Sequence, residues 1–193
     1  LAMSRFSGVW AGMKTIQEIV ESSATAEIDP ERVQIVLPDF AMPSGGVHIR
    51  WPDTALAQEA RLFDYKWYAA LAYVRANRLN YNTIEGPHDR FGLIASGKAY
   101  NDTRQALQDL GLDDATCRRV GIRLHKVSVV WPLEAQLTRE FATGLQEILV
   151  GPDTHHAAAV KHHDLVGVAD GAHPLRHDDH GRVAGAPAQR RAQ

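Results

Sequence analysis

Three short apolar runs constrain this chain most. They are FGLIAS (Phe91–Ser96), LHKVSVVW (Leu124–Trp131) and EILV (Glu147–Val150). Each has strand length, and each is followed at once by a breaker: Gly97, Pro132 and Gly151. The intervals between them read as helices. Asn101 or Asp102 can cap a helix running to Leu110, and Asp102 with Gln105 has capping-box spacing. Gly111 stands where a helix-ending glycine is expected. Asp114–Val120 reads as a short helix carrying Cys117. From about Glu134 to Leu145, the residues Leu137, Phe141 and Leu145 share one face. The order β-α-α-β-α-β predicts an α/β fold with parallel strands and right-handed crossovers.

Upstream the pattern is less regular. Val9, Met13, Ile16 and Val20 fall on one face of a helix expected from about Gly8 to Ser23. RVQIVLP (Arg32–Pro38) reads as a strand. Asp53 or Thr54 can cap a long helix from about Ala55 to Asn77, with Leu56, Ala60, Phe63, Trp67, Leu71 and Val74 as its buried stripe. The aromatics Phe63, Tyr65, Trp67, Tyr68 and Tyr73 around this helix point to an inter-domain contact. NRLNYNTIEGPHDR, with Gly86-Pro87, reads as a polar linker at a domain boundary.

Composition changes abruptly after Val150. From Gly151 onward there is no Phe, Trp, Tyr, Ile, Met, Cys, Ser, Asn or Glu, and seven of the ten histidines lie there. Such a segment buries too little apolar area to offset its ordering entropy, so residues 151–193 are expected to be a disordered His/Ala-rich tail. Across the whole chain, 21 basic and 23 acidic residues nearly cancel. That removes electrostatic grounds for a nucleic-acid or anionic-membrane partner. No apolar run reaches the roughly 18 residues that would mark a membrane-spanning helix. No basic-then-apolar leader opens the chain, and a cytoplasmic location is expected. The opening Leu1-Ala2-Met3 and the immediate apolar pattern give the expectation of an internal piece of a longer protein.

Candidate chemistry is sparse. Ser96, Gly97 and Lys98 join a strand to a helix, the place where open α/β sheets receive anions. A plain, capped turn has the same sequence, and one glycine is not a phosphate-binding fingerprint. His155, His156, His162 and His163 can chelate a transition metal adventitiously, but their i, i+7 pairs do not grip one ion. Cys117 has Arg118 and Arg119 beside it, and no histidine partner can be assigned; a packing thiol is expected. A single cysteine excludes an internal disulfide or an all-cysteine cluster site within this chain. Glu134 reads as a first-turn acid favoured by the helix dipole.

Several long stretches carry a family resemblance. AMSRFSGVWAGMKTIQEIVESSA (Ala2–Ala24), IRWPD (Ile49–Asp53), QEARLFDYKWYAALAYVRAN (Gln58–Asn77), LIASGKAYNDTRQALQDLGL (Leu93–Leu112) and GIRLHKVSVVWPLEAQLTREFATGLQEILV (Gly121–Val150) together resemble indolepyruvate ferredoxin oxidoreductases. The large fused bacterial form of these thiamine diphosphate-dependent 2-oxoacid oxidoreductases is most similar. The resemblance implies that residues 1–38 end a pyrimidine-binding thiamine domain, of which a helical remnant is present. It implies that 39–90 are a connecting segment with the long helix. Residues 91–150 would then be an incomplete, parallel, Rossmann-like transketolase C-terminal-like domain. The resemblance stops at Val150, where GPDTHH replaces the acidic-basic stretch expected of the family, so 151–193 are expected to be foreign to it.

The resemblance further implies a parent reaction: oxidative decarboxylation of an aryl 2-oxoacid to an acyl-CoA, with electrons passing to ferredoxin. The parent would use thiamine diphosphate, Mg²⁺ and iron–sulfur clusters. Its partners would be ferredoxin, coenzyme A and the remaining domains. The family's activating glutamate lies upstream of Leu1 and its Gly-Asp-Gly motif downstream; ADGA (Ala169–Ala172) is not that motif. No catalytic or cofactor residue is therefore carried over, and the isolated chain is expected to be inactive. The competing expectation is a non-catalytic Rossmann-like binding module with a metal-binding histidine tail.

Overall fold

The structure, a computed structural model, describes residues 1–151 except 24, 30, 49, 50 and 52, together with the backbone of Ala158–Lys161. Its centre is a five-stranded mixed sheet in the order β1-β3-β2-β4-β5. The strands are β1 (Tyr81–Ile84), β2 (Phe91–Ser96), β3 (Ile122–Val127), β4 (Glu147–Val150) and β5 (Ala158–Lys161). β2 runs parallel to both β3 and β4, as the strand–helix alternation predicts. β1 and β5 pair antiparallel at the two edges.

The helices of this part are α5 (Gly97–Asp109), α6 (Asp114–Val120) and α7 (Ala135–Ala142). They cover both faces of the sheet. Leu107 of α5 and Cys117 of α6 pack on Ile84, Leu93 and Leu124. On the opposite face, Phe141 and Leu145 pack on Ile94 and Ile148. β2 alternates between the two layers, so Leu93 serves one and Ile94 the other. Gly92 lies under α7; a Cβ there would stand 2.4 Å from Leu145 Cδ1 and 2.8 Å from Phe141 Cζ.

Local signals explain the ends of these elements. Asp113 accepts the Thr116 N–H at 2.7 Å and caps α6. Gly121 ends α6 in the left-handed region, at φ 89°. Glu134 caps α7 by accepting the Leu137 N–H at 2.7 Å. α5 begins at Gly97, earlier than the Asn101 or Asp102 cap expected, and its N-cap Ser96 makes no side-chain capping bond.

Upstream lie α1 (Ala2–Ser7), α2 (Gln17–Val20), α3 (Ala55–Arg61) and α4 (Trp67–Ala76). Thr54 caps α3 as expected, accepting the Ala57 N–H. Between α3 and α4 the helix widens into a π-turn over Leu62–Lys66. The predicted stripe fails at its N-terminal half. Leu56 and Phe63 are exposed, and the inner face is instead Lys66, Ala69, Ala70, Tyr73 and Val74. The extra residue of the π-turn shifts the register of the apolar face.

Three further expectations are corrected. No helix spans 8–23: Gly8 closes α1 at φ 71°, its N–H bonding to Ser4 O, and residues 9–16 form neither helix nor strand. Of the periodic residues only Val9 is half-buried, beside the α3–α4 helix, while Ile16 and Val20 are exposed and Met13 is 86% exposed. Among the described residues Arg32–Pro38 pairs with no strand; the Asn77 side chain reaches it from the end of α4, accepting from Val36 N at 2.9 Å and donating to Val36 O at 2.7 Å. The stretch read as a polar linker supplies β1, because Asn80 and Ile84 are buried in the sheet's edge.

Of the C-terminal segment, Ala158–Lys161 is a strand paired with β4, an exception to the tail expected from composition. The remainder, with His155, His156, His162 and His163, lies outside the described residues.

Candidate functional site

Two places merit a chemical reading. The first is the turn Ser96–Lys98, at the carboxyl end of the central strand β2. β3 and β4 flank this strand on opposite sides, so the fold does put the predicted turn where α/β sheets receive ligands. Gly97 has φ 49° and open space where a Cβ would point. The charge, however, is already engaged: Lys98 Nζ lies 2.6 Å and 2.7 Å from the two carboxylate oxygens of Asp102, one turn along α5. The arrangement is that of an exposed i, i+4 pair on a helix start, and it gathers no second polar side chain.

The second place was not predicted as a site. A groove of about 560 Å³ runs between the N-terminal segment, the α3–α4 helix and the loop after β3. Its walls include Trp10, Phe63, Trp67 and Trp131. Trp67 and Trp131 meet edge-to-face at 5.1 Å. Within it stands Lys66, 7% exposed, which makes no hydrogen bond or ion pair among the described residues. Sequence reasoning took the aromatics of this helix as an inter-domain contact but passed over the lysine. The signal was present, since Lys66 precedes Ala70 and Tyr73 by four and seven residues and so shares their buried face.

Three buried polar groups hold the architecture. Glu134 accepts from Arg75 Nε at 3.0 Å and Nη2 at 2.6 Å, tying α4 to the start of α7. Asp89, with its side chain fully buried, accepts from Arg123 Nε and Gly86 N, each at 2.9 Å. His125, on β3, has its Nδ1 2.7 Å from Asn82 Oδ1, and its ring lies 4.8 Å from that of Phe141. Asn82 Oδ1 can only accept, so Nδ1 carries the hydrogen, and Nε2 is left buried without a partner. Burial, helped by the Arg78 charge, lowers the His125 pKa to about 4.

Cys117 is fully buried, and its thiol faces Leu112 O at 3.5 Å. Burial, with the Asp114 charge, pushes its pKa up despite the nearby arginines. That thiol packs in the core beside Ile84, Leu107 and Leu124. Among the described residues no group of three or more His, Cys, Asp or Glu is placed to hold a metal ion. No helix among them is long and apolar enough to cross a membrane.

Sheet and helices define an α/β domain of doubly covered, largely parallel type. Residues 80–158 match the family model for the indolepyruvate ferredoxin oxidoreductase middle domain. The matched segment starts just ahead of β1 and ends at the first residue of β5, past the Val150 limit read from the motifs. The chain is also similar to indolepyruvate oxidoreductase subunit IorA of Methanothermobacter thermautotrophicus, at 29% identity over 114 residues. That alignment covers 58% of this chain and 16% of the relative, so the chain spans a small part of the relative's length. No solved structure matches significantly.

Proposed function

We propose that this chain is a non-catalytic, structural portion of an indolepyruvate-type 2-oxoacid:ferredoxin oxidoreductase. The parent reaction is oxidative decarboxylation of an aryl 2-oxoacid to an acyl-CoA, with electrons delivered to ferredoxin. Thiamine diphosphate, Mg²⁺ and the iron–sulfur clusters belong to other parts of the parent, which works in the cytoplasm. In this reading 91–150 are the transketolase C-terminal-like domain, 1–38 close the pyrimidine-binding domain, and 39–90 connect them.

One observation carries the reading. The segment matched to the family is well packed, whereas the apolar residues ahead of it are not: Trp10 is 93% exposed and Val33 75%. Exposed apolar residues on this scale mark surfaces that another domain covers.

The test is turnover. The purified 193-residue chain is supplied with indolepyruvate, coenzyme A, thiamine diphosphate, Mg²⁺ and an oxidised ferredoxin. Ferredoxin stays oxidised in this reading, while adding the remaining domains of the parent restores reduction. Turnover by the chain alone overturns the proposal.

A further inference from the structure

We infer that α7 is an acid-released cover: below neutral pH it swings off its face of the sheet as a unit, while the α5–α6 layer on the other face stays packed. The inference does not rest on the parent reaction. It starts from His125, 1% exposed on β3, whose ring lies 4.8 Å from that of Phe141 on α7. Its Nδ1 is 2.7 Å from Asn82 Oδ1, and that amide is itself fixed, because Asn82 Nδ2 donates to Glu85 Oε2 at 3.0 Å. Nδ1 therefore carries the hydrogen, and the buried Nε2 has no partner. A second proton there makes a buried donor without an acceptor, which is costly until water reaches it. Burial opposes that proton most. Arg78, in the turn after α4, also opposes it, and Glu85, after β1, favours it. From α7, Glu140 is paired with Arg78 at 3.3 Å. On the same face of β3, Arg123 Nη1 donates to Phe141 O and Thr143 O.

β1 lies beside the ring and α7 over it, so one of them moves when water enters. β1 is pinned at both ends. Asn80 accepts from Ser128 N and Val129 N at 2.9 Å each, and Ile84 is buried in the opposite layer. α7 is eight residues long and buries only Leu137 and Phe141. Its ends supply the pivots. Ahead of it Glu134 is fastened to Arg75, and behind it Gly144 has φ 80° and open space where a Cβ would point. Short elements with few buried contacts open at a lower free energy than the whole fold. The two cores are separate: Phe141, Leu145 and Ile148 form one, and Ile84, Leu107, Cys117 and Leu124 the other. Cys117 is thus a built-in reporter of the layer that stays.

The experiment is hydrogen exchange of the full 193-residue chain, read by mass spectrometry from about pH 7 to about pH 4.5, with each rate divided by the intrinsic rate at that pH. A pyridyl disulfide, reactive toward thiols in acid, reports on Cys117 alongside. Protection of the amides of 138–142 is expected to fall at least about tenfold over that range, as an uncovered imidazole takes up its proton. The amides of 117–121 are expected to stay protected and Cys117 unlabelled. In His125→Gln the protection of α7 is expected to lose its dependence on pH. Glu85 is exposed, so Glu85→Gln folds, and it is expected to move the release to lower pH. If His125→Gln fails to fold, the pattern in the unaltered chain and the Glu85→Gln shift decide. Loss of protection in both layers together, α7 protection unchanged with pH, a folded His125→Gln with the original pH dependence, or a release that Glu85→Gln leaves in place or moves upward overturns the inference.

Discussion

Arg75 on α4 and Glu134 at the start of α7 are joined by two hydrogen bonds to one carboxylate oxygen, 3.0 Å and 2.6 Å long, while the other oxygen caps α7. One buried side chain thus docks the upstream helix and starts the helix that covers the sheet. Removing Arg75 leaves a buried carboxylate without its cation. Arg75→Met is expected to cost about 3 kcal/mol, the low end for breaking a buried pair, because the arginine is itself half-exposed. Glu134→Gln, which keeps an accepting oxygen for the cap, is expected to cost about 1–2 kcal/mol. Urea unfolding of the two variants checks the order; a smaller loss for Arg75→Met contradicts it.

Gly92 is a packing glycine and Gly121 a backbone glycine. Gly92→Ala pushes a methyl into Leu145 and Phe141, side chains able to shift, and is expected to cost about 1–3 kcal/mol. Gly121→Ala is expected to be worse, because φ is 89° and the new Cβ would lie 2.7 Å from the His88 carbonyl oxygen, which is main chain. Thermal melts rank them, and a milder effect at Gly121 contradicts the assignment.

His125 gives the fold an acid limit. Its folded pKa is lowered to about 4, so between the ordinary histidine value of 6.5 and about 4 the unfolded chain binds a proton that the folded chain refuses. Stability from this group is complete above about pH 6.5, falls as pH drops, and levels off below about pH 4, a loss of about 3 kcal/mol. His125→Gln is expected to remove most of that slope. Urea midpoints measured from pH 7.5 to 4 in both proteins decide the matter, and parallel curves rule it out.

Cys117 is expected to be inert while the chain is folded. Its thiol is buried and its pKa raised, so the thiolate that reacts with disulfide reagents is scarce. Labelling by a chromogenic aromatic disulfide is expected to be slow in buffer and complete in denaturant. Fast labelling of the native chain contradicts this, and with it the packing role.

The legible part of the fold is the part whose partners lie in the same segment. β2, α6 and β4 are found at their predicted bounds, and Leu137, Phe141 and Leu145 are all buried together. Gly111 also ends its helix as expected, at φ 72°. Here local breakers and periodicity agree with tertiary packing. Where they disagree, packing decides. Val9, Met13, Ile16 and Val20 have helical spacing, but Met13, Ile16 and Val20 are exposed, and of the expected helix only Gln17–Val20 forms. β1 was hidden because an edge strand needs few apolar residues, and YNTI buries only Ile84. The π-turn leaves no sequence signature, so the N-terminal half of the long helix's stripe, Leu56 to Phe63, was misplaced while Val74 is buried as expected. Ser96–Lys98 joins β2 to α5, but Gly97 and Lys98 already belong to the helix and the lysine is paired with Asp102, four residues on. The candidate groove was half-legible: its aromatics stood out, and its buried lysine did not.

β1 and β5 run against the direction of the three strands between them. A parallel layer grows by adding strand–helix units at its margins, each new strand pointing the same way. Here both margins carry reversed strands, so another such unit has no parallel neighbour to join. The tie that reaches beyond this layer stands on its helical side, where Arg75 and Glu134 fasten the upstream arm.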